Sequence, residues 1–188
     1  MKIEITPGRT VEYIEGFVSK EDADRYLHAH LELKPSITPE VVTMFGRSSV
    51  QKRLSIQYGA DYLYNQTAKK SHTWTPLMLE IKARMEAVVG PLDGGLLWIY
   101  PDGEAGLGWH EDKGNPEIIA SLSLGARRSF CFGVGTVVRC KEIWRMQPQH
   151  GSLLLIPAET NEATKHRVPP ERWVKEPRVN ITLRRFPR

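Results

Sequence analysis

Arg178-Val179-Asn180-Ile181-Thr182-Leu183-Arg184 alternates polar and apolar side chains without a break. A two-residue repeat puts Arg178, Asn180, Thr182 and Arg184 on one face and the three aliphatic residues on the other, so the stretch reads as a β-strand. An edge strand with a wet face would carry the same pattern. The two arginines lie roughly 20 Å apart on a straight strand, too far to grip one carboxylate jointly. They serve the two ends of a small dicarboxylate only if the strand bends or the side chains converge. Guanidinium groups suit such work because they stay charged and bind carboxylates through paired hydrogen bonds.

Upstream of this stretch, other strand-like runs follow one another with short turns between them. They are Leu96–Tyr100, Ile118–Leu124, Arg128–Phe132, Thr136–Cys140, Ile143–Gln147, Ser152–Ile156 and Thr164–Val168, with Val179–Phe186 closing the series. Earlier still, Val11 to Leu33 reads as a short strand leading into a helix. Ser19 is its candidate N-cap, Glu21 and Asp22 stand in the first turn, and Ala23, Tyr26, Leu27 and His30 are spaced for one face. Thr75-Pro76 opens a second helix with a stripe of Leu77, Ile81, Met85 and Val88, ended by Gly90-Pro91. Helices followed by about eight strands predict an α+β, mainly β chain: a sandwich or barrel braced by N-terminal helices.

At 188 residues the chain is long enough for one full core, and a single domain is expected. It carries no run of eighteen apolar residues and no signal-peptide pattern, so a cytoplasmic protein with no membrane association is expected. Cys131 and Cys140 lack metal-ribbon spacing and read as two reduced core thiols. The net charge of +4 permits a polyanionic partner without requiring one. Between Thr43 and Thr75, Arg47, Lys52, Arg53, Lys69 and Lys70 face Asp61 alone, interleaved with Phe45, Tyr58, Tyr62, Tyr64 and Trp74. Cations among aromatics suit a surface that tracks phosphates and stacks bases, and a solvated loop beside a half-buried hairpin has the same composition.

Trp109-His110-Glu111-Asp112 supplies the other candidate chemistry. On extended backbone His110 and Asp112 point the same way and can share one metal ion. Six histidines and the six aspartates of this chain give roughly 0.2 His-x-Asp triplets by chance, so the triplet needs context. The glycine-rich run from Asp102 to Gly108 precedes it, and His166, near the end of a predicted strand, is the best third ligand. Two imidazoles and a carboxylate on one face of an octahedral metal leave three positions open, as in Fe(II) oxygenases. A catalytic zinc site uses the same ligand types, and three unrelated polar side chains remain the bland alternative.

Taken together, His110-x-Asp112, His166 and Arg178-x-Asn180-x-Thr182-x-Arg184 resemble the AlkB family of Fe(II)/2-oxoglutarate dioxygenases. Ala120 to Phe130 and His150 to Ile156 add to the likeness, and Arg53 through Tyr58-Gly59 and Tyr62-x-Tyr64 resembles the family's substrate lid. The resemblance implies a double-stranded β-helix (jelly-roll) core over 96–188, with helices and a lid over 1–95. It implies iron held by His110, Asp112 and His166. It also implies 2-oxoglutarate held by Arg178 at its distal carboxylate, by Arg184 near C1, and by Tyr100 and Asn180. O2 is the third reactant, and oxidative demethylation of N-alkylated bases in DNA or RNA, with release of succinate, CO2 and aldehyde, is the implied reaction. Arg53, Tyr58, Tyr62, Tyr64 and Trp74 become candidate substrate residues, and a monomer is expected. Two positions depart from the family pattern. Trp98 stands where an asparagine usually contacts the cosubstrate, and Gly114 stands where demethylases often carry an acidic base-reading residue. A free nucleoside, small metabolite or protein side chain is therefore the alternative substrate, and a non-catalytic metal-containing nucleic-acid-binding module is the second alternative.

Overall fold

The computed structural model describes residues 1–44, 47–59, 63–64, 67–68 and 71–188. Expectations placed on Phe45, Asp61, Tyr62, Lys69 and Lys70, and on the Arg47 and Tyr64 side chains, lie outside the described residues. In chain order the elements are β1 (Lys2–Thr6), β2 (Arg9–Ile14), α1 (Lys20–Leu31), β3 (Val41–Met44), β4 (Arg47–Val50), β5 (Leu54–Gly59), β6 (Leu63–Tyr64), β7 (Thr67–Ala68) and α2 (Pro76–Val89). They continue with β8 (Gly94–Tyr100), β9 (Leu107–His110), β10 (Ile118–Gly125), β11 (Phe130–Gly135), β12 (Cys140–Met146), β13 (Ser152–Pro157), α3 (Ala158–Ala163), β14 (Lys165–Val168) and β15 (Arg178–Arg185).

A seven-stranded sheet in the order β1-β2-β13-β10-β15-β8-β5 faces a four-stranded sheet in the order β12-β11-β14-β9, the layout of a jelly roll. Strand alternation explains both cores. Leu97 and Ile99 on β8 and Val179, Ile181 and Leu183 on β15 point to one side, where Tyr26 of α1 and Met78, Ile81 and Met85 of α2 cover them. Leu96, Trp98 and Tyr100 point to the other side and meet Phe130, Phe132 and Val168 of the small sheet. β15 lies between β10 and β8, so it is an interior strand, and its polar face is as buried as its apolar one.

Both large helices start where their caps dictate. Ser19 Oγ accepts from the Asp22 amide at 3.1 Å, and Thr75 Oγ1 accepts from the Met78 amide at 3.2 Å, satisfying otherwise orphaned donors. Gly90, at φ 78°, closes α2 in a conformation that disfavours a side chain. The apolar stripe of α2 differs from expectation: Met78 is buried and Val88 is 48% exposed, because the helix rolls its Met78–Ile81–Met85 face onto the sheet. Thr136 to Arg139 forms no strand. It is the tip of the β11–β12 hairpin, closed by reciprocal backbone bonds between Thr136 and Arg139. Both cysteines are free, Cys131 buried and Cys140 only half-buried beside that tip. No described helix is long and apolar enough to cross a membrane.

Candidate active site

His110 and His166 are directly opposite one another on the antiparallel strands β9 and β14, so both rings project from the same face of the small sheet. Their ring centroids are 4.2 Å apart. Asp112, two residues beyond the end of β9, completes the group, and the three side chains offer ligand atoms within 4.8 Å of one another. The sequence disguised β9 because Gly106 just before it and Gly108 within it break the apolar pattern that marks a strand.

Each member is held by neighbours. His110 Nδ1 donates to the Gly108 carbonyl at 2.9 Å, which leaves Nε2 with its lone pair. His166 stacks on Phe130 at 5.4 Å, and its Nδ1 is buried without a hydrogen-bond partner. The backbone of Asp112 is clamped by Asn161 of α3, whose Oδ1 accepts from the Asp112 amide and whose Nδ2 donates to the Asp112 carbonyl, both at 3.0 Å. Asn161 was missed from sequence because a six-residue helix has no periodicity to betray it. The Asp112 carboxylate accepts from Arg184 Nε at 2.9 Å and Nη2 at 2.8 Å.

This setting fixes the charge states. Burial, followed by the nearby His110, pushes His166 down to about 3, and burial also lowers His110, so both imidazoles are neutral near pH 7. Burial alone would raise Asp112, but the charge of Arg184, bonded to it, leads the opposing effects that hold the carboxyl below its ordinary range. Neutral imidazoles and an ionised carboxylate are the ligating forms of these side chains.

Trp98, Tyr100, Asn180, Thr182 and Arg184 line the cavity with the three clustered residues. Asn180 Nδ2 donates to Ser121 Oγ at 2.9 Å and to the Leu122 carbonyl at 2.8 Å, and Thr182 Oγ1 donates to Asn180 Oδ1 at 2.8 Å. Ser121 and Ser123 were missed from sequence, although the alternation of Ala120-Ser121-Leu122-Ser123-Leu124 puts both hydroxyls on the side facing β15's polar residues. Arg178 lies next along the same face, opposite Tyr100 and 5.3 Å from its ring centroid. Arg178 Nη2 donates to Ser123 Oγ at 3.0 Å, whereas Nε and Nη1 are buried with no partner.

Residues 10–184 match the profile of the 2OG-Fe(II) oxygenase superfamily. The chain belongs to this superfamily. Its relatives mark it as an AlkB-like 2OG-Fe(II) oxygenase. It is 35% identical over 150 residues to the human alpha-ketoglutarate-dependent dioxygenase alkB homolog 3, covering 71% of this chain and 51% of that protein. It is 31% identical over 160 residues to the Bos taurus DNA oxidative demethylase ALKBH2, covering 77% of this chain and 57% of that protein. The chain thus spans about half the length of the curated relatives it matches. Among solved structures, a prolyl hydroxylase from Trichoplax adhaerens, in complex with a hypoxia inducible factor peptide fragment, superimposes with a TM-score of 0.63 at 14% identity. That likeness covers 94% of this chain and 83% of the other, and is one of fold.

The candidate substrate residues of this AlkB-like oxygenase separate. Arg53 is buried beside the cavity, its guanidinium 5.0 Å from the Trp98 ring centroid. Tyr58 is buried in the helix-side core, and the half-buried Trp74 stacks on it at 5.6 Å. The reason is parity: Tyr58 pairs with Gly95, on the same face as Leu97 and Ile99, whereas the cavity-facing residues of β8 are Trp98 and Tyr100.

Proposed function

We propose that this chain is an Fe(II)- and 2-oxoglutarate-dependent dioxygenase that demethylates N-alkylated bases of DNA or RNA. The observation that carries the cosubstrate half of this reading is Arg178, a cation at 1% exposure with two nitrogens left without partners. A buried guanidinium with donors left unsatisfied is costly, and an incoming carboxylate relieves that cost. Iron fits the donor set of His110, Asp112 and His166, since all three present their ligating forms and the buried His166 Nδ1 has no protein partner. Bound there, iron would supply the oxidative chemistry by which O2 and 2-oxoglutarate give succinate and CO2, one oxygen atom going to succinate and the other to the N-alkyl carbon, whose hydroxylated product releases an aldehyde.

The chain's own residues bind and orient. Arg178 pairs with the distal carboxylate of the cosubstrate beside Tyr100. Asn180, locked by Ser121 and Thr182, presents a fixed amide edge to the cavity. Arg184 keeps Asp112 ionised and holds its carboxylate in place beside the two histidines, and would also serve the C1 carboxylate of the cosubstrate. Trp98 and Phe130 form apolar walls that exclude water from the reacting atoms. The relatives named for alkB and DNA oxidative demethylation support the substrate class.

Gly114 favours a second reading with the same chemistry on a free nucleoside or small metabolite, because no side chain at that position contacts a base. Anaerobic loading with Fe(II) and 2-oxoglutarate, then oxygen, tests both by mass spectrometry on methylated oligonucleotides, nucleosides and metabolites. The expected result is demethylated oligonucleotide with equal amounts of succinate and aldehyde. Untouched oligonucleotides beside an oxidised nucleoside or metabolite would overturn the first reading in favour of the second.

A further inference from the structure

A groove adjoining the iron cavity, with Leu107 and Arg167 lining both, runs along β9, the edge strand of the small sheet, with Lys52, Arg53, Gly106, Gly108 and Trp109 among its other walls. Two guanidiniums in it are built alike. Arg53 lies over Trp98 at 5.0 Å, and Arg167 lies over Trp109 at 4.4 Å. Arg53 is 7% exposed and spends one nitrogen on Gln51 and the Gly106 carbonyl, while its Nε is buried without a partner. Arg167 gives Nη2 to Glu142 at 2.9 Å, and its Nε is likewise buried without a partner. The acid lining the groove, Glu104, is already paired with Lys52. At Gly108 a Cβ would meet nothing within 4 Å, so the floor is open.

We propose that this groove is a phosphate subsite, in which Arg53 and Arg167, oriented by Trp98 and Trp109, hold the phosphodiester of a nucleic-acid strand whose target base enters the iron cavity. The inference rests on the nucleic-acid reading above and names the residues that would position its substrate. Stacking on tryptophan fixes each guanidinium plane; each Nε is buried, so a phosphate would take the terminal nitrogens beyond those bonded to Gln51, Gly106 and Glu142. His166 and Arg167 are adjacent in sequence, so the strand that carries a clustered histidine also carries the phosphate contact.

The test uses fluorescence anisotropy of a fluorescein-labelled, unmethylated oligothymidylate on the full chain across a salt series. Arg167→Gln is expected to weaken binding about fivefold to tenfold at low salt and to shallow the log-log salt slope by about 0.7, the single-strand value for one phosphate contact. Arg167→Lys, which keeps the charge and loses the planar stack, should restore the slope and only part of the affinity. A structural role alone would lower thermal stability and leave the slope untouched. Affinity and slope equal to wild type in Arg167→Gln, or no strand binding by wild type, would overturn the proposal. Competition by thymidine 5′-monophosphate as strong as by the strand would overturn the strand assignment in favour of a free nucleotide. Because the probe carries no methyl group, binding as expected together with no demethylation in the mass-spectrometry panel rejects the enzyme reading while leaving the groove intact.

Discussion

Arg128 and Arg178 are equally buried, each at 1% exposure, yet they live in opposite circumstances. Arg128 gives Nε to Glu171 at 3.1 Å and its terminal nitrogens to the carbonyls of Asp102, Gly103, Ala105 and Pro169. Glu171 in turn accepts from the amide and hydroxyl of Ser129. This knot ties the segment before β9 to the segment after β14, the two stretches that flank His110 and His166. Arg178 has the Ser123 hydroxyl and Tyr100 beside it, and burial pushes its pKa down. Burial penalises both cations; what differs is how many donors remain uncommitted. A saturated buried arginine holds backbone in place, and an unsaturated one is a reserved place for an anion.

The largest expected effect comes from turning a saturated arginine into an unsaturated one at the metal cluster. Asp112→Ala strips Arg184 of its carboxylate and removes a ligand, so turnover should vanish; full activity measured by succinate release would relocate the metal site. Next in size, Arg128→Ala leaves Glu171 buried and unpaired and should cost about 3–5 kcal/mol in urea denaturation. A loss under about 1 kcal/mol would mean the knot is ornamental. Arg178→Met should do the reverse. The cofactor-free protein keeps or gains about 1 kcal/mol because orphaned donors disappear, while the KM for 2-oxoglutarate rises about 10- to 100-fold through loss of a charge-assisted pair. In the same variant, 2-oxoglutarate added with Fe(II) at about 100 times the wild-type Kd should forfeit the roughly 2.7 kcal/mol stabilisation expected of wild type.

The smallest effect lies at the surface, where a satisfied pair is worth little. Glu80, bonded by Arg25 and Tyr26, is held at about 2, below its ordinary 4.5. A depressed folded pKa stabilises above the unfolded value and loses that contribution as pH falls toward 2. Glu80→Gln should therefore lower the melting temperature slightly at pH 7, by less than about 1 kcal/mol in stability, and match wild type near pH 2. A constant difference across that range would assign the effect to packing.

Much of the candidate site was legible because it obeys strand parity. The alternation from Arg178 to Arg184 put four polar residues on one face, and His-x-Asp with His166 marked the cluster that the paired strands bring together. What alternation could not say was which face is solvated: the polar side of β15 is dry because β15 is interior and the small sheet covers it. Tyr58 makes a related point: composition suits it to base stacking, and only the register with β8 reveals that it faces the helix-side core. Asn161 and Arg128 were invisible because their partners are backbone groups far away in sequence.

Gly114 sits at φ 81°, followed by Asn115 at φ 51°, and a Cβ built on it would stand 3.1 Å from the Phe186 ring. An acidic side chain there would need both a change of backbone basin and a retreat by Phe186. Selection for a base-reading carboxylate at this position would thus face a valley of strained single mutants. The route across it starts with the C-terminal phenylalanine and reaches residue 114 second.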